Sequence, residues 1–519
     1  MKPGKGALRM RKTTVQTQEE ALAAAEAIPA IEETFPPRKD RPYIYHNLTN
    51  SLCPKCLRVI QAKVIIQHNK VYLLKTCPEH GAMRTLLSSD ATYYQSQSQY
   101  NKPGTLPRHF QTPVEQGCPL DCGLCTDHEQ HTCLALIELT EACNLRCPTC
   151  FADSDIGRYA PLDEVERMID TIVENEGYAD VVQFSGGEPT IHPQILEVLA
   201  LAKRKRIKAL MINTNGVRIA RDEDFVRGLS AFKGNFEVYL QFDGFRQSTY
   251  EALRGLDLRE IKEKALANLT KYEIPVNLTA TIKRGVNEDE IGEIVTFGLA
   301  QKMVRGITFQ PITNVGRHED FDPLDRTTTP DVIHAIAEQT GGIFRASDFV
   351  PLPCHSDCIS MTYAYVKGKK VKPLPRYIDV KAYLDAIGNQ INFRVDDVKM
   401  VVGSALNRLW SASMPLSTVN ALRDFSCCLP AMPQALSQKE HGSVLYENMF
   451  RIVIISFMDA WNFDVRSAKK CCVHHVLPDG KIMPFCSYNT LHRPKYMTKM
   501  RGSRAILPAR PAAKREAEA

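Results

Sequence analysis

LALIELTEACNLRCPTCF (134–151) runs from an apolar strand straight into three cysteines spaced Cys-x3-Cys-x2-Cys. LALIEL reads as a buried strand that delivers Cys143, Cys147 and Cys150 to the loop after it. A helix is expected next, because Val165, Met168, Ile169, Ile172 and Val173 recur at helical spacing between charged residues. Strands then follow at DVVQF (180–184, ending in SGGEPT), KALMIN (208–213, ending in TNG), EVYLQFDG (237–244), VNLTATI (276–282) and ITFQP (307–311). Helical stretches near 193–205, 221–232 and 288–301 separate them. Regular strand–helix alternation predicts a parallel α/β sheet, a partial (β/α)6 barrel over 134–312. In such a barrel chemistry belongs to the loops that follow the strands. Here those loops are polar or glycine-rich.

The cysteines carry the next inference. All 17 fall in four groups: 53, 56, 77; 118, 122, 125, 133; 143, 147, 150; and 354, 358, 427, 428, 471, 472, 486. None lies in 151–353, where cysteines acting as small core hydrophobes would be scattered. Clustered thiols in a reducing compartment read as metal ligands. CPLDCGLC (118–125) repeats the spacing of CNLRCPTC (143–150). A cubane 4Fe–4S cluster takes four thiolates. The first triplet, Cys118, Cys122 and Cys125, has Cys133 eight residues on, with His128 and His131 as substitutes, and so reads as a closed cluster. The second has no further cysteine for over 200 residues and leaves one iron open. The second triplet is therefore the reactive one.

Composition bounds the alternatives. The chain has 519 residues, 44% hydrophobic and 24% charged, as expected of a globular enzyme of two or three domains. The formal charge of +6 is partly carried by the two ends, which read as solvated basic tails, with weak attraction to an acidic membrane surface as the lesser reading. No basic stripe is interleaved with aromatics, so nucleic acid is not an expected partner. RIVIISFMDAW (451–461) is too short to span a bilayer and contains Asp459. A cytoplasmic protein is expected, with peripheral membrane contact as the variant.

Cys143, Cys147 and Cys150 with Phe151, followed by GGEP (186–189) after the second strand, resemble the core of the radical S-adenosylmethionine (SAM) superfamily. The resemblance implies that the open iron chelates the methionine part of the cofactor. Reduction of the cluster then gives methionine and a 5′-deoxyadenosyl radical. It further implies that Gly186, Gly187 and Glu188 line the methionine amino group. Asn213, Asn215 and Asp243 would contact ribose or carboxylate, and Phe151 would lie beside the adenine.

Outside the core, LCPKC (52–56) and TCPEHG (76–81) flank a hairpin and resemble rubredoxin or zinc-ribbon knuckles. Cys53, Cys56 and Cys77 would bind zinc or mononuclear iron, with His80 or another group as fourth ligand. At the other end PCHSDC (353–358) and KKCCVHHVLPDGKIMPFC (469–486) supply a further set: Cys354, Cys358, Cys472 and Cys486, with Cys471 the rival of Cys472. LPDGKIMPFC reads as a tight turn between strands. Cys427 and Cys428 are as readily buried thiols as ligands. The segment 359–470 reads as mostly helical, with an apolar face at Val402, Leu406 and Leu409. The expected organisation is a basic segment 1–42, a knuckle and cluster region 43–133, the core 134–312, a C-terminal helical, cysteine-rich cluster domain 313–495 and a tail 496–519.

Over about 43–490 the arrangement resembles one subgroup: the archaeal tetraether lipid synthases and their bacterial relatives, which also carry a pterin methyltransferase assignment. That resemblance implies SAM, one SAM-binding and two auxiliary 4Fe–4S clusters, a mononuclear iron or zinc, and a low-potential donor such as ferredoxin or flavodoxin. The leading expectation is carbon–carbon coupling of lipid chain termini, with the C-terminal cysteines trapping the first radical. Methyl transfer to a pterin is the alternative, and a peptide-modifying enzyme the third reading.

Overall fold

A computed structural model describes residues 40–155, 157–318, 321–377, 380–384 and 448–493. Near the start, β1 (Ile44–Leu52), β2 (Val59–Gln67), β3 (Lys70–Cys77) and β4 (Gly81–Ser88) form a four-stranded antiparallel sheet in sequential order. His68 and Asn69 both take positive φ, 51° and 56°, at the β2–β3 turn, as a two-residue hairpin of this twist requires.

The main sheet contains β5 (Leu134–Thr140), β6 (Ala179–Gly186), β7 (Ile207–Thr214), β8 (Phe236–Gln241), β9 (Val276–Ile282) and β10 (Val304–Pro311), all parallel neighbours in that order. Each coincides with a strand expected from sequence. The crossover from β8 to β9 contains two helices, Gln247–Arg254 and Arg259–Lys271, that the sequence reading passed over. Beyond β10 come β11 (Val350–Pro351), β12 (Ile359–Lys367), β13 (Lys370–Pro373), β14 (Met449–Ile455), β15 (Val473–Val476) and β16 (Ile482–Pro484). The full order is β11-β12-β14-β10-β9-β8-β7-β6-β5-β15-β16, with β13 on β12. Both β14, beside β10, and β15, beside β5, are parallel to their neighbours. The sheet therefore crosses the boundary expected at 312.

Two expectations change here. The stretch 359–470 is not mostly helical where it is described, because β12 and β14 pair antiparallel across seven positions. The run of β-branched residues in FRIVII (450–455), with Ile452, Val453 and Ile454 all buried, favours a strand, and β10 offers it an open edge. Val402, Leu406, Leu409, Cys427 and Cys428 lie outside the described residues. The turn expected in LPDGKIMPFC is present: β15 and β16 pair antiparallel, His474 opposite Pro484. No helix among the described residues is long and apolar enough to cross a membrane.

Period-two alternation sorts the parallel strands into two faces. Ala135, Ile137, Leu139, Val182, Phe184, Leu210, Ile212, Val238, Leu240, Leu278, Ala280, Ile307 and Phe309 are buried against the helices in one continuous core. The alternate residues line a cavity of about 310 Å³ inside the curved sheet. Asp459, which breaks the apolar run after β14, is fully buried: Arg326 pairs with it at 3.2 Å, and the amides of Asn314, Trp461 and Asn462 donate to it.

The N-terminal sheet is fastened to this body by Lys75. Its Nζ donates to Ser51 Oγ (3.2 Å), Leu52 O (2.6 Å), Ala460 O (2.7 Å) and Trp461 O (2.8 Å), and the residue is 3% exposed. Lys75→Met should orphan these buried acceptors and lower unfolding free energy by about 2–4 kcal/mol, read by urea denaturation of the metal-loaded protein. A loss under about 0.5 kcal/mol would mean the two parts are held together elsewhere.

Candidate active site and metal centres

The loop after β5 is shaped by a backbone seam to the GGEP turn. Gly187 N donates to Thr140 O (2.8 Å) and Glu188 N to Ala142 O (2.9 Å). A Cβ on Gly186, whose φ is +123°, would stand 2.2 Å from Thr140 O, and one on Gly187 2.1 Å from Ala142 O. Only glycine lets these backbones meet. The glycines thus serve the cysteine loop itself as well as lining the cavity. On the loop's far side Cys150 exchanges backbone hydrogen bonds with Arg317 (2.8 and 2.9 Å), whose Nε also donates to Cys147 O (2.7 Å).

Cys143, Cys147 and Cys150 all line the cavity. Burial pushes the Cys143 thiol up to about 12 and raises Cys147 too, against the opposing charge of Arg254. Three thiols gathered on one loop become thiolates together only around a cation, and soft sulfur donors with no fourth cysteine among the described residues lining the cavity fit an iron–sulfur cluster with an open iron.

The residues expected around the cofactor divide into two kinds. Glu188 is 1% exposed, and its carboxylate accepts from Thr190 N (3.1 Å), Thr190 Oγ1, Thr214 Oγ1 (2.8 Å) and Asn215 N (2.7 Å). Asn213 accepts from Gln183 Nε2 (2.7 Å), and Asn215 Nδ2 donates to Asn144 Oδ1 (2.7 Å) on the cysteine loop. All three line the cavity. Asp243 does not: it is wholly buried and held by Arg254 Nε and Nη2 (both 2.7 Å), Gln241 Nε2 (2.8 Å) and Thr281 N (3.0 Å). Its carboxylate therefore acts through Arg254, which does face the cavity beside Cys147. Lys262, fully buried with Nζ on Asn215 O (2.6 Å), adds a second cationic side chain. Burial draws its ammonium down to about 8. Sequence reasoning missed both residues because they sit in the overlooked double-helix crossover. These two would hold the cofactor's carboxylate, while Phe151 packs in an aromatic group with Phe457 (5.5 Å) and Phe485 (5.0 Å) at the cavity wall.

The remaining cysteines regroup. Cys53, Cys56, Cys77 and His80 present ligand atoms all within 4.8 Å of one another, with Cys56 and Cys77 sulfurs 3.8 Å apart and His80 Nδ1 3.5 Å from Cys77. One tetrahedral ion with ~2.3 Å metal–sulfur bonds puts its thiolates about 3.8 Å apart. His80 completes this knuckle. Cys133, assigned from sequence to the 118–125 triplet, instead joins Cys354 and Cys472 within the same 4.8 Å limit, Cys354 and Cys472 being 3.7 Å apart. The cause is register: β15 pairs with β5, Val473 opposite Leu134, so the residues just before each strand meet, and Cys133 N donates to Cys472 O (2.9 Å). Cys471, whose Sγ lies 3.1 Å from Val473 O, bears on Cys122, Cys358 and Cys486 as well as on its neighbour Cys472. Cys358, Cys471, Cys472 and Cys486 all line one further cavity.

The closed set expected of Cys118, Cys122, Cys125 and Cys133 is thereby corrected. Cys118, Cys122 and Cys125 remain neighbours, since the charges of Cys118 and Cys125 are both felt at Cys122 and that of Cys125 at Cys118. Cys125 is buried, and tight local turns fix its backbone: its N donates to Gly123 O (3.0 Å) and its O accepts from His128 N (2.9 Å). After that turn the chain carries Cys133 away to β5, so among the described residues no group of ligand atoms within 4.8 Å joins Cys125 to Cys133. Among the described residues, Cys471 also bears on the charge of Cys122. Neither histidine substitutes: His131 Nε2 lies 3.6 Å from Cys133 Sγ and pairs with Asp180, while His128 Nε2 sits on Cys471 O (3.0 Å).

A parallel sheet whose first strand feeds a three-thiol loop, clasped by a glycine turn from the second, defines a radical SAM enzyme. Residues 137–298 match the radical SAM superfamily, and 45–89 match the HMPTM N-terminal zinc ribbon domain. The "7,8-dihydro-6-hydroxymethylpterin dimethyltransferase" of Methanocaldococcus jannaschii is 34% identical over 479 residues, covering 86% of this chain and 94% of that protein; the chain belongs to its family. The GTP 3′,8-cyclase of Chlorobaculum tepidum is 32% identical over 181 residues, 34% of this chain and 53% of the relative. Among solved structures, Streptococcus suis SuiB bound to S-adenosylmethionine aligns with TM-score 0.34 at 19% identity, over 41% of this chain and 48% of that one. A radical SAM methyltransferase from Sphaerobacter thermophilus aligns with TM-score 0.31 at 10% identity, over 63% and 80%.

Two measurements check these assignments. Arg254→Lys keeps a cation beside Asp243 but loses the fork, so the Kd for SAM in equilibrium dialysis should rise about ten-fold with iron per chain unchanged; an unaltered Kd would remove Arg254 from the cofactor site. Elemental analysis of Cys133→Ser, Cys354→Ser and the double variant should show one and the same loss of metal, whereas Cys125→Ser should cause a separate, additive loss. Additivity between Cys133 and Cys354 would break the regrouping.

Proposed function

We propose that this protein is a radical SAM methyltransferase whose acceptor is a pterin-class heterocycle. The observation that carries this reading is the cavity's polar wall. Inward positions of β6 to β10 present Gln183, Asn213, Tyr239, Gln241, Thr279, Thr308 and Gln310, with the Arg451–Glu237 pair beyond them. These are hydrogen-bonding groups held in place: Tyr239 Oη donates to Thr308 Oγ1 (2.5 Å), and Asn277 Nδ2 donates to the same hydroxyl (3.0 Å). A wall of fixed donors and acceptors suits a flat, polar, nitrogen-rich ring, whereas an alkane would leave its remaining hydrogen-bonding capacity unused. Near-complete alignment with the M. jannaschii relative, whose printed name is a pterin dimethyltransferase, supports the same reading.

When bound, the cluster and SAM supply a primary carbon radical strong enough to take hydrogen from unactivated carbon. The chain's own groups do the rest. Arg254 and Lys262 anchor the cofactor's charged end, Phe151 and its aromatic partners exclude water, and the polar wall orients the acceptor carbon. A low-potential one-electron donor of the ferredoxin or flavodoxin class supplies the reducing equivalents.

The flanking strands β5, β14 and β15, with the chain after β14, add Leu134, Leu136, Val453, Ile455, Phe457 and Val473 to the lining. This apolar side favours a second reading, coupling of hydrocarbon chain ends. The balances differ. Coupling removes one hydrogen from each of two carbons, joins them, and consumes two SAM and two electrons to give two 5′-deoxyadenosines. Methylation replaces a carbon-bound hydrogen by CH3: one SAM is cleaved to methionine and a 5′-deoxyadenosine that carries the hydrogen away, a second gives its CH3 and leaves as S-adenosylhomocysteine, and two electrons are consumed. Mass spectrometry of reduced, anaerobically reconstituted protein with SAM, 6-hydroxymethyl-7,8-dihydropterin and, separately, a lipid extract should show a pterin heavier by one or two CH2. A joined lipid lacking two hydrogens, with the pterin unchanged, would replace the proposal by the coupling reading.

A further inference from the structure

Where β5, β15 and the chain after β16 meet, three side chains face the cavity away from the cofactor anchors: Glu138, His475 and Arg493. Their chemistry is fixed by Asn489. Arg493 Nε donates to Asn489 Oδ1 (2.8 Å), so the amide's oxygen faces arginine, which has no acceptor of its own. Asn489 Nδ2 then points at Phe485 O (2.8 Å) and at His475 Nε2 (3.1 Å). Because that nitrogen donates, His475 Nε2 accepts, and the ring of a neutral histidine carries its proton on Nδ1. Burial keeps the ring neutral. It is clamped by Phe485, stacked at 5.1 Å and 13°, and by Tyr488 at 4.5 Å.

The Nδ1–H so produced has no hydrogen-bond partner among the described residues, although the side chain is only 2% exposed. The nearest acceptor, Glu138 Oε1, is 3.9 Å away, beyond hydrogen-bond reach. Glu138 is itself a carboxylate, both oxygens paired to Arg493, with lone pairs to spare. A buried donor left unpaired destabilises a fold, and such groups call for a functional account. Here the donor and a carboxylate acceptor stand side by side among the side chains that line the cavity holding the cysteine loop.

We propose that Glu138, His475 and Arg493 form the specificity subsite for the acceptor ring. His475 Nδ1–H donates to a ring carbonyl, Glu138 accepts from the adjacent ring N–H, and Arg493 holds Glu138 in place. The ligand class this selects is a heterocycle with a –NH–C=O edge, as the 4-oxo ring of a pterin has. An alkane or an anionic headgroup offers no donor to Glu138. The inference rests on the pterin-class reading above and extends it to named groups.

Pterin fluorescence titration of SAM-loaded holoenzyme tests it with 6-hydroxymethyl-7,8-dihydropterin and its N3-methyl analogue, which lacks the N–H. Wild type should bind the parent at least about 100-fold tighter than the analogue. His475→Ala should weaken the parent about ten- to hundred-fold, with iron content as the folding control. His475→Asn, which restores an N–H near Nδ1, should recover most of the affinity, and Glu138→Gln should erode the preference for the parent over the analogue. Equal wild-type binding of parent and analogue overturns the subsite while leaving the pterin reading intact, and needs no variant. So does an His475→Ala protein that matches wild type. Wild type that binds neither compound overturns the pterin reading, and the subsite falls with it.

Discussion

Three thiols held at cluster-ligating positions need a loop that cannot relax when the metal is absent, and the seam between Thr140–Ala142 and Gly186–Glu188 provides it. Two backbone hydrogen bonds at 2.8 and 2.9 Å are possible there only because neither glycine carries a Cβ. Through this seam the end of β5 and the end of β6 become one rigid edge. Glu188 extends the edge to β7 by accepting from Thr214 Oγ1 and Asn215 N, and Asn215 returns to the cysteine loop through Asn144. The order of strands in the sheet thus fixes the mouth of the cavity. Loss of any one of these contacts would be transmitted to the cysteines before it reached the core.

Electrostatics inside this frame are arranged in pairs rather than as isolated charges, as burial demands. Asp243 is the deepest carboxylate at the site, and Arg254 holds it below the ordinary carboxylate range despite complete burial. The same guanidinium lies beside Cys147, so one arginine neutralises a structural carboxylate and moderates a ligand thiol. Across the cavity Arg493 plays the matching part for Glu138. Cations thereby stand at two separated places, one by the cofactor anchors and one by the acceptor subsite.

Much of the parallel core was legible from sequence because apolar alternation and glycine-rich strand ends are local signals. The six central strands follow from them. What was not legible is non-local. Cys133 follows Cys125 closely in sequence, yet the β5–β15 register carries it to Cys354 and Cys472, residues more than 200 and 300 positions away. The same holds for β14: nothing local in FRIVII says that it will extend a parallel sheet begun at residue 134. Asp243 was read as a cofactor contact because it ends a strand, but only the fold shows Arg254 standing in front of it. His80 was visible as a candidate, and the 3.5 Å approach to Cys77 makes it a member of the knuckle.

One further signal lay in the sequence. Between the apolar positions of β6 to β10 the strands read Gln183, Asn213, Tyr239, Gln241, Thr279, Thr308 and Gln310. A fully buried parallel sheet is normally apolar on both faces. Polar residues recurring on the inward face, among Val181, Ala209 and Met211, mean that this face meets something that forms hydrogen bonds. The cofactor alone does not account for the whole wall, because its anchors gather by the cysteine loop while Tyr239, Thr308 and Arg451 lie further back along their strands. Nor does water explain the wall's order, since these groups are already cross-linked to one another in fixed orientations. A preorganised polar surface flanked by apolar side chains is the environment of a planar heterocycle, hydrogen-bonded along its edge and packed on its face. The pterin reading meets both walls, whereas a hydrocarbon chain would satisfy only one.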